Sequence, residues 1–161
     1  GVEGFANYWD KLREKYCPDA IYEPELAFAS YEDIGPEVER AEKYHIKKRM
    51  HVGESGSAED VEAAIETLGL DEVHHGINAA TSPRVMKLLA DRKITLNVCP
   101  TSNIMLGYVN SYAEHNIKIL VENGVPVTIN TDDLLVFDSP VDQEYLRPVA
   151  STPFSAGNSA N

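Results

Sequence analysis

Val125-Pro126-Val127-Thr128-Ile129-Asn130-Thr131-Asp132-Asp133 is a mostly apolar run closed by two adjacent carboxylates. The run has the composition of a short buried strand. Neighbours on a strand point to opposite faces, so Asp132 and Asp133 have no shared role by default. If the chain turns at the strand end, both can reach one site from different angles. The plain alternative is that one of them caps the following helix, which aspartate does readily. Which reading holds depends on what stands at the ends of the other strands.

Upstream the text is regular. Ile94 to Val98 alternates as a strand and ends at Cys99-Pro100-Thr101-Ser102-Asn103. Ser111 with Glu114 forms a capping box for a helix carrying Ala113, Ile117, Leu120 and Val121, with Gly124 just beyond. Ser82-Pro83 starts a helix with Val85, Leu88 and Leu89 on its inner face, after a very short strand, Glu72 to His75. Earlier still, Ser57 and Asp60 resemble a capping box for a stripe of Val61, Ala64, Ile65 and Leu68 that stops at Gly69. Ile46 to Val52 precedes it as a strand ending in His51-Val52-Gly53-Glu54. Pro36 with Val38, Ala41 and Tyr44 predicts a short helix in front, and Asp138-Ser139-Pro140 predicts one after the aspartate pair. Phe5, Tyr8, Trp9 and Leu12 form a helical stripe, while residues 17–35 carry no assignable pattern. The domain is expected to span 1–150, with Ser151 to Asn161 a frayed tail.

From about residue 46, strand and helix therefore alternate at roughly 25 residues per unit. That pattern calls for a parallel sheet with helices packed outside it. Right-handed crossovers put all the strand C-termini on one edge, and the polar residues fall there: His51 and Glu54, His75, the Cys99–Asn103 loop, Asp132 and Asp133. Active residues at the ends of several parallel strands mark a (β/α) barrel. A doubly wound dinucleotide-binding sheet would show a glycine-rich phosphate turn, and Gly53-Glu54-Ser55-Gly56 lacks the G-x-G-x-x-G spacing.

The bulk numbers narrow the partners. A chain of 161 residues fits one domain. Twenty-six acidic residues against 14 basic ones give a net charge of -12, which argues against a phosphate-neutralising nucleic-acid surface and disfavours an anionic membrane. Two cysteines, Cys17 and Cys99, are too few for a disulfide framework. No apolar run approaches the roughly 18 residues of a membrane span, so a cytoplasmic protein is expected.

Taken singly, the strand-end residues say little. His45 and His115 fall in helical stretches and read as surface or packing residues. His74 and His75 are adjacent on a strand and should face opposite ways, so at most one enters a common site easily. Cys99 has the character of a small buried residue, and Asn103 of a loop organiser. Together, two imidazoles, Glu54 and two carboxylates make a coherent hydrolytic metal site. Histidine and aspartate are good zinc ligands, and a catalytic zinc keeps one position open for water, whose pKa then falls towards neutrality. A catalytic zinc takes three protein ligands, and two are in view.

These residues carry a family resemblance. His51-Val52-Gly53-Glu54 resembles the H-A-G-E motif of the adenosine deaminases, within the amidohydrolase superfamily. His75-Gly76, Cys99-Pro100-Thr101-Ser102-Asn103 and Asn130-Thr131-Asp132-Asp133 follow in the family's order and at about its spacing, covering residues 36–147. The resemblance implies an α/β fold, a (β/α)8 barrel, that deaminates adenosine-type purine nucleosides to inosine-type products plus ammonia at a mononuclear zinc. It implies that His51 and Asp132 bind the metal and that Glu54 exchanges a proton with a purine ring nitrogen. His75 would orient and deprotonate the water on zinc, and Asp133 would hold that water and a ring nitrogen.

The departures are specific. Leu134 stands where the family has proline, and Glu72 and His74 where it has arginine and glycine ahead of the histidine. The family's H-x-H at the first strand has no counterpart in this chain, which is also shorter than the roughly 200 residues of the smallest such barrels. The chain is thus expected to be the C-terminal part of a barrel, a partial barrel without the first strands and final helices. The two remaining ligands would come from the rest of a longer chain or from a partner chain. A non-catalytic half-barrel serving as a binding module, and a deaminase of another purine nucleoside or nucleotide, are the competing expectations. An unclosed sheet is also expected to expose an apolar interior and unpaired edges.

Overall fold

The computed structural model describes residues 35–151. The Phe5–Leu12 stripe, residues 17–34 and the tail beyond Ser151 lie outside them. Helix α1 is Gly35–Lys43 and strand β1 is Arg49–Val52; α2, Ala58–Leu68, leads to β2, Glu72–His75. A 3-10 turn at Ile77–Thr81 precedes α3, Pro83–Arg92, and β3, Thr95–Val98. Then come α4, Pro100–Met105, a 3-10 turn at Tyr112–Glu114, α5, Ile117–Glu122, and β4, Val127–Ile129. The short α6, Leu134–Phe137, and α7, Val141–Ser151, complete the described chain.

The four strands form one parallel sheet in the order β1-β2-β3-β4. Sequential order is what separates an arc of barrel from a doubly wound sheet, whose strand order reverses at a switch point. The fold is the α/β, partial (β/α)8 architecture that the alternation predicts. Its helix-facing side is apolar: Met50, Val73, Leu96 and Val127 lie side by side in register. Val73 and Leu96 are fully buried against Val61, Ile65, Val85 and Leu89 of α2 and α3.

Local chemistry explains most of the boundaries. Ser57 accepts from the Asp60 amide while the Asp60 carboxylate accepts from the Ser57 amide, so the capping box is complete, and Gly69 ends the helix left-handed at φ 62°. The box expected at Ser111 does not form. Ser111 precedes only the 3-10 turn, Glu114 instead accepts from the Asn110 amide, and the helix starts later, at Ile117.

The opposite face of the sheet departs further from expectation. It is polar, not apolar: Arg49 pairs with Glu72, Asn97 donates to Glu72, Thr128 to Asn97, and Asn130 to Thr128. An open arc of this barrel therefore shows water a ladder of hydrogen-bonded side chains. Exposed apolar side chains lie elsewhere, among them Leu134, Leu135 and Val136 of α6, Val141, Tyr145 and Leu146 of α7, and Met105 and Leu106 at the end of α4.

Gly53 sets the approach of the Glu54 loop to the core. Its φ is +72°, and an added Cβ would run into the Cγ2 of buried Val61. Gly53→Ala is expected to cost about 2–4 kcal/mol, from left-handed backbone strain plus overpacking, read as a lowered urea midpoint.

Candidate active site

The C-terminal edge of the sheet opens into a cleft of about 590 Å³, whose lining includes His51, His74, His75, Cys99, Asp132 and Asp133. His51, next to last in β1, is exposed, and its ring centroid lies 4.6 Å from that of His74 and 5.4 Å from that of His75. Both neighbouring histidines of β2 thus enter the cleft, against the alternation rule. His74 does so by register, paired with His51 and Asn97. His75 does so because its backbone is left-handed, φ 60°, which breaks the strand geometry.

Glu54 and His75 meet over Asn103. The Asn103 side-chain amide donates to Glu54 Oε1 at 2.6 Å and lies 3.2 Å from His75 Nδ1. Glu54 Oε1 is itself 3.2 Å from that nitrogen. Asn103 is fully buried. Burial raises the Glu54 carboxyl above its ordinary value, donation from Asn103 opposes the rise, and the Asp132 charge adds to it. Burial lowers His75 to about 4, with Asp132 opposing and His51 and His74 adding. His75 is therefore neutral near pH 7, and its contact with Glu54 is a hydrogen-bonding one, not an ion pair.

Asp132 also holds a left-handed backbone, φ 57°. Its Oδ2 accepts from the Ser102 hydroxyl at 2.6 Å and lies 3.9 Å from His75 Nε2, while its Oδ1 accepts from the Asp133 amide at 3.0 Å. Asp133 caps α6: its Oδ1 accepts from the amides of Leu135 and Val136. The cap reading and the cleft reading of the doublet thus fall on different residues in part. Asp132 turns inward, whereas Asp133 caps a helix and still lines the cleft.

Side chains from α4, α7 and the loop before α5 complete the arrangement. Ser102 and Asn103 belong to α4, which Glu144 anchors from α7 by accepting from the Thr101 amide at 3.0 Å. His115 is buried between the 3-10 turn and α5, not on a helix surface, and its Nε2 lies 3.2 Å from Asn103 Oδ1. No local pattern marks it; its partner is 12 residues away. Burial lowers His115 from 6.5 to about 4. A depressed histidine contributes stability that is present above pH 6.5 and lost as pH falls towards 4. At full burial this amounts to about 3 kcal/mol. Urea midpoints at pH 7 and pH 5 should fall with acid in the wild type and fall less in His115→Gln.

His75, Cys99 and Asp132 offer ligand atoms within 4.8 Å of one another, and His51 opens on the same cleft. Imidazoles and a carboxylate suit a zinc-type cation. The Cys99 thiol suits it less, because burial and then Asp132 push it up to about 12, despite a backbone hydrogen bond from Asp132. The donor set fits half of a metal site.

Comparison with known proteins identifies the family and the fold. The family described as adenosine deaminase matches residues 19–159, reaching further forward than the motifs alone. The putative adenosine/adenine deaminase of Treponema pallidum (strain Nichols) is 43% identical over 141 residues, covering 79% of this chain and 47% of that protein. The aminodeoxyfutalosine deaminase of Streptomyces coelicolor is 38% identical over 137 residues, 84% of this chain and 35% of that one. The crystal structure of adenine deaminase from Arthrobacter aurescens superposes with a TM-score of 0.78 at 25% identity, covering 89% of this chain and 45% of that one. The chain spans less than half the length of these relatives. No helix among the described residues is long and apolar enough to cross a membrane. Four motifs in register, a sequential parallel sheet and a match over residues 19–159 converge: the chain belongs to the adenosine deaminase family.

Proposed function

We propose that this chain is the C-terminal half of a purine deaminase barrel, acting with strands that supply the two further metal ligands. The reaction is hydrolytic removal of the 6-amino group of adenosine-type nucleosides, giving inosine-type products and ammonia. The observation that carries the reading is the buried Glu54–Asn103–His75 contact facing Asp132 across the cleft.

His51 and Asp132 would hold the metal. They are preferred over the His75–Cys99–Asp132 set because His51 stands open to the cleft, whereas His75 Nδ1 is engaged by Asn103 and the Cys99 thiol stays protonated. Zinc bound there supplies the Lewis acidity that brings the pKa of water towards neutrality. His75, neutral near pH 7, takes a proton from the attacking water. Glu54 gives a proton to a purine ring nitrogen, as its raised pKa suits. Asp133 holds the water and a ring nitrogen with the carboxylate that also caps α6. Exposed Leu134–Val136 of α6 and the edge of β4 are where a following barrel unit would pack.

The test is an ultraviolet assay of adenosine and adenine loss with parallel zinc analysis. A completed barrel is expected to hold stoichiometric zinc and deaminate a 6-aminopurine, and the 161-residue chain alone is expected to do neither. Turnover by the chain alone would show that no ligand is missing. A zinc-free or inactive completed barrel would remove the catalytic reading.

A further inference from the structure

Three consecutive residues of α4 send their hydrogen bonds in two directions. The Ser102 hydroxyl donates to Asp132 Oδ2 at 2.6 Å and the Asn103 side-chain amide to Glu54 Oε1 at 2.6 Å, so both reach forward into the cleft. Thr101 reaches back. Its amide donates to Glu144 Oε2 at 3.0 Å, and its hydroxyl lies 2.6 Å from that of Tyr112 and 3.2 Å from that of Ser139. Thr101, Ser102 and Asn103 are buried, and Glu144, in the first turn of α7, is fully buried.

The start of α4 has no side-chain cap of its own. Its N-cap residue is Cys99, whose side chain makes no capping bond, and Pro100 follows in the first turn without an N–H. The Thr101 amide is one of the helix-start donors that lack an intrahelical acceptor, and Glu144 supplies that acceptor from 43 residues away.

We propose that Glu144 is a positioning residue for deamination. By fixing the Thr101 amide it sets the place and rotation of the first turn of α4. With that turn go the Ser102 hydroxyl on Asp132 and the Asn103 amide on Glu54. Glu144 touches no reacting atom; it works through the two residues that follow Thr101. The kinetic consequence rests on the deaminase reading, whereas the placement of Asn103 does not.

Glu144 Oε1 has no hydrogen-bond partner among the described residues, which lets stability and positioning be separated. In Glu144→Gln the carbonyl oxygen keeps the Thr101 bond, while the new NH2 takes the unpartnered place and buries unpaired donors. That variant is expected to lose stability and keep α4 in position. Glu144→Ala removes the acceptor; Glu144→Met, which fills the space and offers no oxygen, stands in with the same expected outcomes if Glu144→Ala does not fold. Leu89→Ala, a cavity in the core beneath α3, is the control for lost stability alone.

In the completed, zinc-loaded barrel, Glu144→Ala is expected to lower kcat by roughly 10–100-fold, the scale of losing a partner that orients a metal ligand or of a small misplacement of a reacting group. KM should change little. Glu144→Gln and Leu89→Ala should keep kcat near the wild-type value despite lowered urea midpoints. Nitrogen-15 NMR of asparagine-labelled protein should show the Asn103 side-chain amide shifted downfield by its short bond to Glu54 in wild type, Glu144→Gln and Leu89→Ala. In Glu144→Ala that signal should move upfield or broaden.

Wild-type kcat with an unmoved Asn103 signal in Glu144→Ala would overturn the proposal. So would losses of kcat that follow the urea midpoints through all the variants, the mark of a purely structural glutamate. If the wild-type barrel deaminates nothing, the deaminase reading fails by itself, and the Asn103 signal still decides whether Glu144 sets α4.

Discussion

Glu54→Gln in the completed barrel should lower kcat by roughly 100- to 10,000-fold, the range for loss of a positioned general acid, with zinc content and fold retained. The geometry makes this substitution clean. Glutamine keeps the volume, and its carbonyl oxygen can still accept from Asn103 Nδ2 at the place now held by Glu54 Oε1. What it removes is the exchangeable proton. The pH profile supplies the mechanistic half of the result. Burial raises the Glu54 pKa, so the protonated fraction persists above the ordinary glutamate range and falls as pH rises through the raised value. If the protonated carboxyl is the working form, kcat/KM declines on that alkaline side in the wild type, and the limb disappears in Glu54→Gln. Steady-state ultraviolet assays across pH would check both; unchanged turnover in the variant would rule out proton exchange by Glu54.

Asp132→Asn is expected to strip the metal. The change preserves most of the local structure: asparagine tolerates the left-handed backbone that Asp132 adopts at φ 57°, and its carbonyl can accept from the Ser102 hydroxyl or the Asp133 amide. It removes the negative charge and one metal-binding oxygen. Metal affinity and turnover should fall by more than the roughly 10–100-fold that outer partners of a metal site contribute, read by metal analysis after dialysis and by the same assay. A variant with full zinc content would assign the metal elsewhere, with His75 and Cys99 the next donors in reach.

Both expectations concern residues that motif spacing had singled out, and the structure shows why spacing reached them. His51, Glu54, His75 and Asp132 sit at or just beyond strand ends, and the end of a strand is legible from local patterns: an apolar run, then a turn, then a capped helix. Ser57 with Asp60, Pro83 and Gly69 act locally, so the α2 and α3 boundaries were readable. The failures are equally local in origin. The Ser111–Glu114 pair has the capping-box spelling, but Glu114 is taken by Asn110 and the true helix begins six residues after Ser111. His115 looked like a packing residue because its importance lies in what it touches.

The sequence by itself determined the alternation of strands and helices, the parallel sheet, and the set of residues gathered along its C-terminal edge. These depend on periodicity, caps and turns, whose physics spans only a few residues. Only the tertiary structure decided which partners those residues take. The left-handed turn at His75 swings a ring into the cleft that strand parity would send to the helix side. Asp132 faces inward while Asp133 caps α6. His115 reaches Glu54 and His75 through an amide on another element. Such contacts join strands and loops 12 to 49 residues apart. They are fixed by packing and by the need of buried polar groups for partners, and no local window of the chain contains both ends of them.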